Sequence, residues 1–451
     1  MQQVDASSAT TLTVSAPTEP LHGTARLVGD KSISHRAPIL GALADGTSTI
    51  ANLSTCGDVM RTLDCLERLG VTIARAADDP DRVTVHGRGV RGLRGPLAVL
   101  DCGDSGTTMR LLAGALVGQD RTFTLDAAPG LARRPMARVV EPLVAMGADI
   151  RSTDGHPPLR GRGGGLTAID HAPAHASAQV GSAVLLAGLN ARGTTRVHYP
   201  APVRDHTERM LKAIGARIAW DGATSEITGP AIRLSPLPGA DGVYRVPNDP
   251  SAAAFLIAAA TIVPGSDIRL RKVCFNTGRN GFLDILEAMG AAIFLTDFSL
   301  NDRPMGGGET IVDFHLRFAR LRATEVSGAL VPPAIDELPL VAVVATQAEG
   351  RTVVRDAAEL RVKECDRIAA IVDGLTRMGA RIEARPDGFV VDGPTPLRGA
   401  AVSGHADHRI VMALAVAGLV ATGETTVTGA ERVGDSFPGF VDALRDLGAS
   451  I

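Results

Sequence analysis

The hydrophobic and polar positions along the chain repeat. An amphipathic helix with apolar residues at i, i+3 and i+4 runs into a glycine, and an alternating strand follows. The phrase recurs six times, as CLERLGVTI, PLVAMGADI, MLKAIGARI, ILEAMGAAI, GLTRMGARI and ALRDLGASI. Its glycines are Gly70, Gly147, Gly215, Gly290, Gly379 and Gly448, spaced 68 to 89 residues apart. A glycine just past a helix predicts the left-handed C′ position. Upstream of each copy stands a second pattern: an Ala/Leu-rich helix, a Gly-containing turn and a Thr/Val/Ile-rich strand, as in GALADGTSTI and VATQAEGRTVV. Ala252–Ala260 and Val341–Ala345 are apolar but too short to span a membrane, and read as buried helix.

The unit is therefore helix–strand–loop–helix–strand–strand, near 75 residues. That exceeds the roughly 20–50 residues of common solenoid repeats and is large enough for a subdomain. Six units divide into two sets of three, with the join at Gly239–Pro247. The segment Thr11–Ser15 precedes the first full unit and is expected to supply a strand to the far lobe, so that the chain crosses twice. The pattern predicts an α/β protein of two similar lobes with a cleft between them, where small ligands bind.

Composition narrows the ligand. Lys and Arg total 46 and Asp and Glu 49, a formal net charge of −3, so no global basic field exists to hold nucleic acid or an anionic membrane. Aromatics make up 3%, which excludes a surface built on base stacking. Cys56, Cys65, Cys102, Cys274 and Cys365 are odd in number and form no CxxC pair. No disulfide framework or zinc site is expected, and a cytoplasmic location fits. The N-terminus lacks the pattern of a secretory signal, and residues 1–10 are expected to fray. His171 and His175 are four apart but lack an intervening metal-site glutamate.

Cations stand instead at loop positions where packing needs none. Lys31-Ser32, with Arg36 one turn later, opens an apolar helix and suits an anion: backbone N–H groups, a hydroxyl and two cations converge. Asp104-Ser105-Gly106-Thr107-Thr108-Met109-Arg110 resembles a cradle of backbone donors. Arg133-Arg134-Pro135-Met136 can aim a guanidinium. Ser177-Ala178-Gln179 suits a hydroxyl-bearing ligand. Arg204-Asp205-His206, Asp336-Glu337, the run Arg361–Arg367 and Asp407-His408-Arg409 complete the set. Each alone has a bland reading as a helix cap or a solvated face; together they outline a site for anions. No phosphate-binding loop of the GxxxxGK[ST] or GxGxxG kind is present in its proper context.

Read in order, GDKSISHR, SGTTMR, RRPM, SAQ, RVKE-x-DR, DHR and SFP resemble the 5-enolpyruvylshikimate-3-phosphate synthases over Leu12–Ile451, and RDHTE with SAQ resembles the second sequence class of that family. The resemblance implies the enolpyruvyl transferase fold, an inside-out α/β barrel of two lobes with three βαβαββ repeats each. Residues 1–27 with 245–451 would form one lobe and 28–244 the other. It implies transfer of the enolpyruvyl group of phosphoenolpyruvate to the 5-hydroxyl of shikimate 3-phosphate, by addition and elimination, with no metal or organic cofactor. It also implies a monomer, a place in aromatic amino-acid biosynthesis and a glyphosate target.

Residue by residue, Lys31, Ser32, Arg36, Ser177, Ala178, Gln179, Arg204, Asp336 and Lys363 would hold shikimate 3-phosphate. Lys31, Gly106, Arg134, Gln179, Glu364, Arg367 and Arg409 would hold phosphoenolpyruvate. Asp336, Glu364, Lys31 and Lys363 would be catalytic, Asp336 accepting the hydroxyl proton and Glu364 supplying a proton to C3. Four positions depart from the family pattern: Asp104, Gly181, Asn248 and Asp435. Three of these changes are expected to make the site less positive and weaken phosphoenolpyruvate binding. The alternatives are the sister transferase acting on UDP-N-acetylglucosamine, a diverged carboxyvinyl transferase acting on a related phosphorylated ring, and a non-catalytic scaffold. Lys31-Ser32 in place of Lys-Asn, and Pro129-Gly130-Leu131-Ala132 in place of a loop cysteine, argue against the first.

Overall fold

The computed structural model describes residues 10–94, 99–299 and 308–451. The tail expected to fray falls outside them except for Thr10. Among the described residues the strands form six small sheets, five of four strands and one of three. One sheet shows the common plan. Val99–Asp101 runs parallel to Thr122–Asp126, which pairs antiparallel with His156–Arg162, itself antiparallel to Asp149–Thr153. The helix Gly106–Leu116 connects the two parallel strands, as a parallel pairing requires.

Three sheets take a strand from elsewhere in the chain. Val243–Arg245 pairs with Thr47–Ala51, and His22–Thr24 pairs with Asp267–Cys274. Thr11–Val14 lies antiparallel to Thr425–Thr428, and Ser15 bridges to Ser450. Thr11–Val14 thus joins a sheet of the last unit, as expected for the first strand.

Each unit packs two helices. The inner ones are Lys31–Leu43, Gly106–Leu116, Ala178–Gly188, Pro250–Ile262, Leu338–Ala345 and His408–Gly418. They are apolar nearly all round and almost wholly buried, which a helix without a polar face requires. Close approach makes small residues necessary. A Cβ at Gly114 would come 2.2 Å from the carbonyl oxygen of Ala183 on the neighbouring inner helix.

The outer helices are amphipathic and carry the repeated tail. All six tail glycines have φ between 80° and 94°. After each, the next N–H reaches back to the carbonyl five residues earlier, as in Val71 to Leu66 at 3.0 Å and Ala449 to Leu444 at 3.0 Å. That closure satisfies the last carbonyls of the helix and turns the chain into the following strand.

Buried apolar side chains fall into two clusters. One runs from Ile33 to Val246 and takes in Cys274. The other joins Leu12–Leu27 to Ala252–Ala449. Between them lies a cleft of about 800 Å³. Among the described residues, no single helix is long and apolar enough to cross a membrane.

Candidate active site

The six inner helices begin at the cleft. Lys31 and Ser32, Gly106 and Thr107, Ala178 and Gln179, Ser251, Arg409, and Asp336 just ahead of its helix all line it. Helix starts carry partial positive charge and free N–H groups, so their convergence favours anions. Local capping fixes each start. Asp30 accepts from the N–H of Ile33, Ser105 from Thr108, Ser177 from Val180 and Asp407 from Arg409.

The wall from the first half of the chain carries six cations (Lys31, Arg36, Arg110, Arg134, Arg138 and Arg204) against one carboxylate, Asp58. Lys31 Nζ pairs with Asp58 at 2.6 Å and donates to the carbonyl of Asp435 at 2.9 Å. Arg36, 3% exposed, donates only to neutral groups: Thr207 Oγ1 at 2.7 Å, Ser182 Oγ at 2.8 Å and the Ser32 carbonyl at 2.9 Å. Burial, then the charge of Arg204, lowers its pKa to about 10. Arg110 is buried with less compensation. It donates to Gln179 Oε1 at 2.5 Å, while its Nε and Nη2 are buried without a partner. Burial, Arg134 and Arg138 lower its pKa to about 9. Buried guanidinium groups short of an anion are costly, and an anionic ligand would relieve that cost.

The wall from the second half carries four cations and five carboxylates. Asp336 lies among Arg204 at 3.3 Å, Arg367 at 3.3 Å, Lys363 at 3.6 Å and Arg409 at 3.8 Å. Burial opposes its ionisation, but Lys363 and the arginines outweigh it and hold the carboxyl well below its ordinary value. Glu364 pairs with Arg367 at 2.6 Å and Arg134 at 3.3 Å. Its carboxyl is likewise held well below the ordinary value, the pull of Arg367 and Arg134 exceeding the cost of burial. Arg367 is fully buried and fixed from behind by Asp407 at 2.7 Å. Arg409 donates to Glu337 at 2.9 Å and to the Asp336 carbonyl at 3.1 Å. Burial lowers the pKa of His408 to about 4, so it is neutral at pH 7.

Every residue singled out in the sequence for substrate or proton work lines this one cleft. Three ion pairs between described residues bridge its walls, Arg204–Asp336 at 3.3 Å, Arg134–Glu364 at 3.3 Å and Arg138–Glu359 at 3.8 Å. Gly106 is required there. A Cβ would come 2.7 Å from Arg110 Nη1 and 3.3 Å from Arg134 Nη1.

None of the four departures lines the cleft. Asp104 accepts from the N–H of Leu131 at 3.0 Å, and Arg432 stands between Asp104 at 3.6 Å and Asp435 at 3.0 Å. One arginine offsets both added carboxylates. Gly181 has no room for any side chain: a Cβ would come 1.9 Å from the Tyr199 hydroxyl. Asn248 bonds Asn52 at 3.0 Å and the Arg271 carbonyl at 2.7 Å, and does not need the freedom of glycine. His171 and His175 do not share a helix.

The sequence pattern does not mark Arg110 and Asp58 individually as substrate-binding or catalytic residues. An arginine inside the apolar run TTMRLLAGAL was the available signal for the first. Nothing local marked Asp58, whose meaning comes from Lys31 across a loop. A separate buried group, His206, Cys274 and Glu309, could geometrically hold a metal ion. Its acidic member is already engaged by His206 at 2.7 Å and Asn276 at 3.3 Å.

Six related α/β units around a cation-walled cleft, with two carboxylates kept ionised inside it, define an enzyme that brings small polyanions together. The family model for EPSP synthase (3-phosphoshikimate 1-carboxyvinyltransferase) matches residues 15–444. The chain is 48% identical over 438 residues to the 3-phosphoshikimate 1-carboxyvinyltransferase of Halorhodospira halophila, covering 97% of this chain and 96% of that one. It is 45% identical over 435 residues to that of Desulforamulus reducens, covering 96% and 98%. The structure of EPSP synthase from Acinetobacter baumannii superimposes with a TM-score of 0.85 at 38% identity, covering 97% and 98%. The chain belongs to the EPSP synthase family. It transfers the carboxyvinyl group of phosphoenolpyruvate to shikimate 3-phosphate, in the pathway to the aromatic amino acids.

Proposed function

We propose that the two walls take unequal shares of this reaction: the first grips shikimate 3-phosphate and, with Arg367 and Arg409 of the second, the phosphoenolpyruvate anion, while the second moves the protons. The observation that carries the reading is the contrast between Arg36 and Arg110, buried without a carboxylate, and Asp336 and Glu364, held ionised among cations. Shikimate 3-phosphate would lie against Lys31, Ser32, Arg36, Ser177, Ala178, Gln179 and Arg204, within reach of Asp336 and Lys363. Phosphoenolpyruvate would lie against Lys31, Gly106, Arg134, Gln179, Arg367 and Arg409, beside Glu364.

In this reading Asp336 accepts the proton of the 5-hydroxyl as that oxygen bonds to C2 of phosphoenolpyruvate. Glu364 delivers a proton to C3, which leaves a tetrahedral adduct. Loss of phosphate from C2, and return of a proton from C3 to the Glu364 carboxylate, then forms the product's vinyl group. Lys31 and Lys363 offset the negative charge around the reacting carbons. Glu364 must be protonated before it can act as an acid. The anionic groups of phosphoenolpyruvate would draw Arg134 and Arg367 away from it, so binding itself would raise its pKa and take up a proton.

The same reading assigns residues 1–27 with 245–451 to one lobe and 28–244 to the other, each of three βαβαββ units in an inside-out barrel. The separation of the two apolar clusters supports it. It also assigns the chain to the second sequence class, to the cytoplasm and to a monomeric state, since both walls come from one chain. Phosphate release with both substrates present, and none with either alone, tests the reaction. For the roles, Asp336→Ala and Glu364→Gln should lower turnover by at least about 10²-fold while shikimate 3-phosphate still binds. Loss of binding to the same extent as turnover would defeat the assignment.

A further inference from the structure

A second cavity, also of about 800 Å³, lies at the far end of the first three units. Arg91, Arg94, Arg121 and Arg192 line it. Among the described residues none of the four has a carboxylate within 4.0 Å; the one carboxylate that also lines the cavity, Asp120, pairs with Arg162 at 3.6 Å instead. Their side chains make one hydrogen bond between them, from Arg91 Nε to Asn190 Oδ1 at 2.9 Å. Asn190 is 7% exposed, and its Nδ2 has no partner among the described residues.

The cavity sits where the inner helices Gly106–Leu116 and Ala178–Gly188 end. Arginines at helix C-termini often answer the partial negative charge there. Here no guanidinium of the four donates to a last-turn carbonyl. Gln119 does so instead, to the carbonyl of Ala115 at 3.2 Å. Three successive glycines, Gly163 to Gly165, leave part of the wall without side chains. A concave, side-chain-poor wall ringed by four unpaired guanidinium groups suits a compact ligand with several anionic oxygens. No aromatic side chain lines it, so nothing there would stack on a nucleobase.

We propose that this cavity is a second anion site, for a small oligophosphate or polycarboxylate, separate from the catalytic cleft. The two helices that end there begin in the cleft, about 16 Å away along their axes. The site therefore lies at the opposite end of the elements that present Gly106, Ala178 and Gln179 to substrate.

Calorimetric titration of tripolyphosphate, and separately of citrate, into the full-length protein tests this, with the cleft saturated by both substrates at reaction equilibrium. One binding event should remain for at least one probe, and the tighter probe identifies the class. Arg121→Ala/Arg192→Ala should weaken it at least tenfold. Arg151→Ala/Arg160→Ala, which removes the same charge from another exposed part of the same half, should leave it within twofold. The four arginines are exposed and unpaired, so the unfolding midpoint should not move; Arg91→Gln/Arg94→Gln provides a second test of the same loss. Absence of any binding event once the cleft is filled, or equal weakening in the Arg151/Arg160 control, would overturn the proposal.

Discussion

On one wall of the cleft the inner helices are capped by Asp30, Ser105 and Ser177; on the other the corresponding positions hold Asp249, Glu337 and Asp407. The backbone plan is the same in all six units, yet the charge differs. Serine caps satisfy an N–H group without spending the positive end of the helix, so two starts on the first wall stay available to an anion. The single aspartate cap on that wall is neutralised from the other half by Arg279, which also reaches Asp249 at 3.2 Å. On the second wall the carboxylates fix Arg367 and Arg409 in place and leave Asp336 and Glu364 ionised. A repeated scaffold has thus been divided into a face dominated by cations that bind and a face that also carries the reacting carboxylates, by changes at a few helix starts.

The largest effect should come from the reacting face. Glu364→Gln should lower phosphate release by about 10²–10⁴-fold, the usual span for loss of a positioned acid or base, as read by steady-state assay. Next comes the binding face. Arg36→Gln should weaken shikimate 3-phosphate by roughly 10–100-fold, corresponding to about 1.5–3 kcal/mol for hydrogen bonds to a charged group, measured by calorimetry.

The two faces should respond alike to acid. Burial lowers the pKa of His35 on the first wall to about 3 and that of His408 on the second to about 4. Both values lie below that of an unfolded histidine, so the unfolded chain binds more protons as pH falls. Their contribution to stability is complete above pH 6.5 and is lost toward pH 4 and 3. Between pH 6.5 and 5 each should cost up to about 2 kcal/mol, seen in urea unfolding, and His35→Gln should remove the first share.

Smaller effects should separate the substrates. Gly106→Ala pushes a methyl against Arg110 and Arg134, and should raise KM for phosphoenolpyruvate about tenfold while sparing shikimate 3-phosphate, in line with overpacking costs of about 1–3 kcal/mol. Arg432→Ala would free Asp104 and Asp435 at the rim. Partly exposed pairs are worth about 0–1 kcal/mol, so KM for phosphoenolpyruvate should rise only about two- to threefold.

Much of this contrast was legible in the sequence. The tail glycines stood out because a helix C-terminus needs one residue type at one position, and all six adopt the left-handed conformation. Lys31, Gly106, Gln179 and Arg409 stood out because polar residues at the mouths of very apolar helices have no packing reason to be there. What stayed hidden depends on distance in space. Asp104 and Asp435 read as repulsive because Arg432 lies some 330 residues from one and three from the other, and sequence does not show that it meets both. Arg110 closes the run Asp104–Arg110, whose pattern points to backbone donors, and only its convergence with Gln179, Arg134 and Arg138 shows the guanidinium itself to be buried without a carboxylate.

The division of labour is tested most directly by titrating shikimate 3-phosphate into Asp336→Asn and Arg36→Gln side by side with the unaltered protein. The Asp336→Asn protein should bind it at least as tightly as the unaltered protein, because a competing negative charge beside Arg204 is gone, and should release no phosphate. The Arg36→Gln protein should bind it roughly 10–100-fold more weakly. Comparable losses of binding in both would contradict the account.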